Sequence, residues 1–169
     1  MLKNRLVTAA WTIPLIGVLI WLGEPYFTVF IAIVGILAFI EFSRLTNIIK
    51  GKRLTVFGAI WTLLFIVIRD PKLLTLIEPY FSLDLLVPLI ITSGVAISLI
   101  ILLTRRQKQG AFTDWAWTFA GIMYVGWLSS YLVAMRGLQD GKSWVFLAVL
   151  ATFGSDSAAY FTGRLCGKH

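Results

Sequence analysis

Leu83-Asp-Leu-Leu-Val-Pro-Leu-Ile-Ile-Thr-Ser-Gly-Val-Ala-Ile-Ser-Leu-Ile-Ile-Leu-Leu103 carries a single charge, Asp84, one residue from its start. The rest is apolar, apart from three hydroxyl residues, a glycine and a proline. A helix of this length spans about 30 Å, the thickness of a bilayer's hydrocarbon core. We read it as a transmembrane helix, with Pro88 predicting a kink. Working outward, similar runs recur between short polar breaks. Upstream lie Leu6–Leu22, Tyr26–Phe42 and the shorter Leu54–Ile68; downstream lie Trp115–Met135, opened by an interfacial Trp-x-Trp pair, and Trp144–Gly163. Arg69 to Ser82 reads as a mixed-charge loop with Pro71 and Pro79. The expectation is one all-α polytopic membrane domain over 1–169, with about six spans.

Composition agrees. Of the 169 residues, 59% are apolar and 14% charged, against roughly 25% charged in soluble chains. The net charge of +7 does not point to nucleic acid, because the basic residues sit between the apolar runs. Topology and anionic lipid headgroups account for that distribution. Lys3 and Arg5 precede the first run, and no small-residue cleavage site follows it, so a retained span is expected. With the N-terminus inside, inner segments hold 11 of the 15 Lys and Arg residues. Outer segments hold the other 4, namely Arg69, Lys72, Arg136 and Lys142. The positive-inside rule therefore favours a cytoplasmic N-terminus, and six spans return the C-terminus to the same side. The one cysteine, Cys166, rules out an internal disulfide, and one histidine rules out a Cys/His metal cluster. Any metal would be a hard cation on oxygen ligands.

The last run differs from the others. Phe153-Gly-Ser-Asp-Ser-Ala-Ala-Tyr-Phe-Thr-Gly-Arg-Leu-Cys-Gly-Lys-His169 places a carboxylate, hydroxyls, a tyrosine and glycines inside an apolar span. Ionisable residues at that depth usually face a bundle interior or a watery cavity. At about 100° per residue, Thr152, Asp156, Ala159, Tyr160, Gly163 and Gly167 share one narrow face, while Phe161 and Leu165 point away from it. Each residue also has a plain reading. Asp156 could be hydrogen-bonded to a neighbouring helix, and Tyr160 could be an interfacial anchor. Gly163 and Gly167 could be a helix-packing pair. Arg164 and Lys168 could bind phosphate or merely follow the charge rule. Ser155 and Ser157 could satisfy nearby polar groups, and Glu41 could pair with Arg44 three residues on.

The chain resembles the phosphatidate cytidylyltransferases, the CDP-diacylglycerol synthases. The resemblance runs from the basic N-terminus and the Pro14 span through Glu41-Phe-Ser-Arg-Leu45, Tyr124-Val-Gly126 and Trp144. It is densest at Asp156-Ser-Ala-Ala-Tyr-Phe161, Gly163-Arg164 and Gly167-Lys-His169. Ser157 and Ala158 depart mildly from the family's Asp-Thr-Gly-Ala-Tyr-like string. The family's later motifs, a Ser-Pro-x-Lys-Thr-x-Glu-Gly-like loop and one rich in Lys, Asp, His, Gly and Arg, do not occur before His169. The chain is therefore expected to be the N-terminal part of such an enzyme, inactive alone. The resemblance implies attack of phosphatidate on CTP with release of pyrophosphate, in the cell's inner or plasma membrane. It implies Asp156 as catalytic residue and ligand of Mg²⁺ or another divalent cation, with Ser157, Tyr160, Arg164 and Lys168 binding substrate or nucleotide. The partners are then CTP, phosphatidate and membrane lipids, with a homodimer left open. Two alternatives stand beside it: a CTP-dependent kinase of polyprenol-type lipids, and a non-catalytic transporter or assembly subunit.

Overall fold

The computed structural model describes residues 2–45, 52–104 and 109–167. The described residues form helices and short turns, with no strand. In order these are α1 (Leu2–Leu22), α2 (Tyr26–Leu45), α3 (Lys52–Val67), α4 (Pro71–Ile77) and α5 (Leu83–Leu103). Then come α6 (Ala111–Gly121), a π-helical segment (Ile122–Trp127), α7 (Leu128–Arg136) and α8 (Gly141–Cys166). Apolar runs of this length become helices because a bilayer offers the backbone no hydrogen-bond partner but itself. Four helices are long and apolar enough to cross a membrane: α2, α5, the continuous Ala111–Arg136 and Gly141–Arg164 of α8. The protein is thus an all-helical, polytopic integral membrane protein.

The third run needs correction. α3 does not continue straight into a loop; the chain bends by 84° between Arg53–Val67 and Pro71–Ile77, and the two pieces count together as a fifth candidate span. The stretch from Arg69, expected to be a loop, contains α4. Asp70 caps that helix, accepting hydrogen bonds from the backbone N–H groups of Lys72 (3.0 Å) and Leu73 (3.1 Å). Pro71 takes the first helical position, where a missing N–H costs nothing. Over its described side chains α1 adds a shorter apolar helix, Trp11–Leu22.

α3 is the centre of the bundle, and it packs on α2 more extensively than any other pair of elements packs. One core cluster joins Ile20, Phe27, Ile31, Ile66, Val133 and Val145 from α1, α2, α3, α7 and α8. A second joins Phe39, Phe57, Phe65, Ile122 and Val125. Between membrane helices the driving force is close packing, and small residues permit it. The ring of Phe39 lies so close to Gly58 that a Cβ there would stand 2.0 Å from Cζ. Gly126, inside the π segment, rests on the backbone of α3: its Cβ would be 2.9 Å from Thr62 Cα. Polar links are few and specific. Trp61 Nε1 donates to the Ile90 carbonyl (2.9 Å), and Trp115 Nε1 donates to Ser98 Oγ (2.8 Å), tying α5 to α3 and α6.

One end of the bundle gathers the α1–α2 turn, the α3–α4 bend and the α7–α8 turn. Here all four basic residues expected on the outer side are engaged. Arg136 donates from Nε to the Ile20 carbonyl (3.0 Å) and lies 3.9 Å from Glu24. Its guanidinium fills the space beside Gly23, whose φ of +74° suits glycine. Lys72 donates to the Glu24 carbonyl (3.0 Å). Arg69 lies over Tyr131 (4.5 Å) and Trp127 (5.5 Å), and Lys142 over Trp21 (4.7 Å). Asp70, buried, also accepts from the Thr28 hydroxyl. The pair expected at the other end of α2 does not form: Glu41 and Arg44 are both exposed, with no ion pair between them.

Candidate functional site on helix 8

α8 starts against the bundle and ends away from it. Gly141 sits on the Arg136 carbonyl, Val145 is fully buried, and Phe146, Ala148 and Val149 are half-buried. From Ala151 to Arg164 every residue is exposed among the described residues. The polar face expected to point inward therefore has no counterpart in the described part of the chain. Gly154 and Gly163 have nothing within 4 Å of a Cβ position, so no helix packs on them here.

Within this bare stretch the polar groups divide in two. Thr152 donates to the Ala148 carbonyl (2.9 Å), Ser155 to Thr152 (2.8 Å) and Thr162 to Ala158 (2.7 Å). These hydroxyls are satisfied by their own helix, as Ser and Thr often are in apolar surroundings. Asp156, Ser157, Tyr160 and Arg164 have no hydrogen bond or ion pair among the described residues; Tyr160 touches only the edge of Phe161 (centroids 5.7 Å apart). At about 100° and 1.5 Å per residue these four fall within about a 100° arc, and Asp156, Tyr160 and Arg164 form a row about 12 Å long. Lys168, the fifth residue of the expected site, lies outside the described residues.

The row joins a carboxylate at one end to a guanidinium at the other, with a hydroxyl and a phenol between. A guanidinium takes phosphate oxygens, hydroxyls donate to them, and a carboxylate can take a metal ion or a cationic donor. The fit to a divalent cation is incomplete: Asp156 offers one carboxylate, and no group of three His, Cys, Asp or Glu side chains comes together among the described residues. The described residues do not make a metal site by themselves.

Three comparisons bear on identity. Residues 3–169 match the family model described as "Cytidylyltransferase family". Among curated relatives, the phosphatidate cytidylyltransferase of Brucella suis is 27% identical over 98% of this chain and 56% of its own length. That of Bacillus subtilis is 24% identical over 99% of the chain and 60% of its own. That of Staphylococcus haemolyticus is 31% identical over 79% and 48% respectively. The chain spans about half to three-fifths of the length of these relatives. No solved structure matches it. A family match that covers nearly every residue, on a helical membrane scaffold ending in the Asp156 row, decides the question: the chain belongs to the cytidylyltransferase family.

Proposed function

We propose that the protein makes CDP-diacylglycerol from CTP and phosphatidate, and that this chain supplies its membrane scaffold and the Asp156 row. The observation that carries the reading is the set of unengaged polar groups on α8. Elsewhere Asp70 and the cations of the bundle end are tied up in structure; here four polar side chains in one arc are not. In the proposed reaction a phosphatidate phosphate oxygen attacks the α-phosphorus of CTP. The bond to the β-phosphate breaks and pyrophosphate leaves. Such chemistry depends on positioning and on neutralising negative charge. Arg164, with Lys168, would hold phosphate oxygens, while Ser157 and Tyr160 would donate hydrogen bonds to substrate. Asp156 would act on the nucleotide side, as one ligand of a divalent cation whose other ligands come from outside the described residues. The proposal includes six crossings with α1 and the bent α3–α4 pair counted, and a cytoplasmic N-terminus from the 11-to-4 division of basic residues. The row then opens to cytosolic CTP in the inner or plasma membrane.

The test uses CTP labelled in turn on its α- and γ-phosphorus, with phosphatidate, in membranes carrying one of three forms. These are this chain, the chain with whatever its reading frame encodes beyond His169, and that second form with Asp156→Ala. Label from the α-phosphorus entering lipid, in the second form only, is the expected result. Label entering lipid from the γ-phosphorus instead would make the protein a lipid kinase.

A further inference from the structure

Only the four residues from Gly137 to Asp140 join α7 to α8, so α8 starts where α7 stops. The side chain at that junction, Arg136, is 12% exposed and crosses to the end of α1. The last turn of α1 carries no basic residue of its own. There Arg136 Nε donates to the Ile20 carbonyl (3.0 Å), one of the last four carbonyls that a helix leaves without an internal partner. A cation at a helix C-terminus is stabilising, and Arg136 stands at two such ends, that of α7 and that of α1. Its guanidinium lies 3.9 Å from Glu24 and takes the room left by Gly23, where a Cβ would be 2.5 Å from Nη2. On the backbone side, Gly141 of α8 rests on the Arg136 carbonyl, which a Cβ there would approach to 2.2 Å. Ile20 completes the joint, because its side chain belongs to the same buried cluster as Val145 of α8.

We propose that Arg136 is a positioning residue for the Asp156 row: by locking the α7–α8 junction to the end of α1, it sets the direction of α8. The inference rests on the function proposed above. Two observations carry it. First, among the described residues α8 is held near its base only. Along Ala148 to Phe153 an apolar groove of about 260 Å³ lies between α8 and the helices α1, α2 and α7, so α8 has room to lean. Second, the arm is long. Asp156 lies 15 residues from Gly141. That is about 22 Å along a helix, so a lean of about 3° moves its carboxylate by about 1 Å. A displacement of about 1 Å can cost about 100-fold in rate. The other tie at the base, Lys142 over Trp21 (4.7 Å), joins two exposed side chains and does not replace the buried one.

The experiment uses the form with whatever the reading frame encodes beyond His169, its native cysteines replaced by serine, in nanodiscs. Spin labels are attached through Leu37→Cys on α2, paired with Leu147→Cys or Phe161→Cys on α8, all three positions being exposed. Pulsed electron resonance then reads the two distance distributions. Arg136→Ala is expected to broaden and shift both. The shift at Phe161 should be about three times that at Leu147, because the two lie 20 and 6 residues from Gly141 on one rigid arm. The same substitution should lower CDP-diacylglycerol formation at saturating CTP about tenfold, and Arg136→Lys should recover most of both effects. Asp70→Ala weakens the same end of the bundle, but its partners lie on α2 and α4. It should leave distances and rate unchanged. Unmoved, narrow distances in Arg136→Ala would overturn the proposal. So would an equal disturbance in Asp70→Ala, or a displaced α8 with an unaltered rate. If Arg136→Ala does not fold, Gly23→Ala, which drives a methyl into the guanidinium, decides by the same distances. A protein that makes no CDP-diacylglycerol in any form, while α8 still swings, would sink the proposed function and leave the clamp.

Discussion

Asp70 and Asp156 are both carboxylates in a chain that is mostly hydrocarbon, yet the fold treats them in opposite ways. Asp70 is 6% exposed and takes hydrogen bonds from Thr28 and from two backbone N–H groups of α4. Asp156 stands on an exposed helical face with no partner among the described residues. The same contrast holds for the cations. Arg69, Lys72, Arg136 and Lys142 each lie on a carbonyl, a carboxylate or an aromatic ring, whereas Arg164 contacts none of these. A charge in an apolar sequence is therefore not a site in itself. What marks a candidate is a polar group that the scaffold does not need.

If that division is right, the two aspartates should respond to substitution in opposite ways. Asp156→Ala should lower CDP-diacylglycerol formation roughly 100-fold in the catalytically competent protein. It should leave the thermal unfolding midpoint in detergent, followed by tryptophan fluorescence, where it was. A drop in that midpoint would mean that Asp156 is structural after all. The scaffold should be most sensitive where backbones touch. Gly126→Val pushes a side chain into Thr62 Cα and should cost about 3 kcal/mol, at the upper end for overpacking. Asp70→Ala removes a helix cap and leaves the Thr28 hydroxyl buried without its acceptor. A loss of about 2 kcal/mol is expected, with Asp70→Asn recovering part of it. Arg69→Ala should cost the least, about 1 kcal/mol for a cation held over two rings. It should also alter the emission of Trp127. Unchanged stability in both Asp70→Ala and Arg69→Ala would erase the contrast between the two ends of the molecule.

Much of this architecture was legible because apolar runs in a membrane have few alternatives to helix. The ends of α2, α5 and α8 fall within a few residues of the runs that predict them. The α3–α4 bend was missed, although Asp70-Pro71 is a recognisable cap followed by a first-turn proline. Proline counted as a loop signal there, and the seven residues of α4 are too few for periodicity to speak. The engagement of Arg69 and Arg136 could not be read at all. Their partners lie 58 to 62 and 112 to 116 residues away in sequence, and no local pattern encodes such pairings. For the candidate site, sequence gave the residue types and their common face. It did not tell the self-satisfied hydroxyls of Thr152, Ser155 and Thr162 from the free group at Ser157. That distinction needs helix geometry and rotamers.

The π segment at Ile122–Trp127 has a consequence for how this helix can change over time. With a steady 3.6-residue repeat, the buried positions Ala111, Asp114, Thr118 and Ile122 would continue to Val125 and Ser129. Val125 is buried as that repeat requires, but at the next turn the fully buried position is Ser130, one place later than Ser129. The wide turn absorbs the equivalent of one inserted residue, and the faces on either side keep their neighbours. A lineage can thus gain or lose a single residue at this point without re-sorting the rest of the bundle. Family members that differ by one residue here should carry an ordinary α-turn in its place, with Gly126's contact on α3 passed to whichever small residue then faces it.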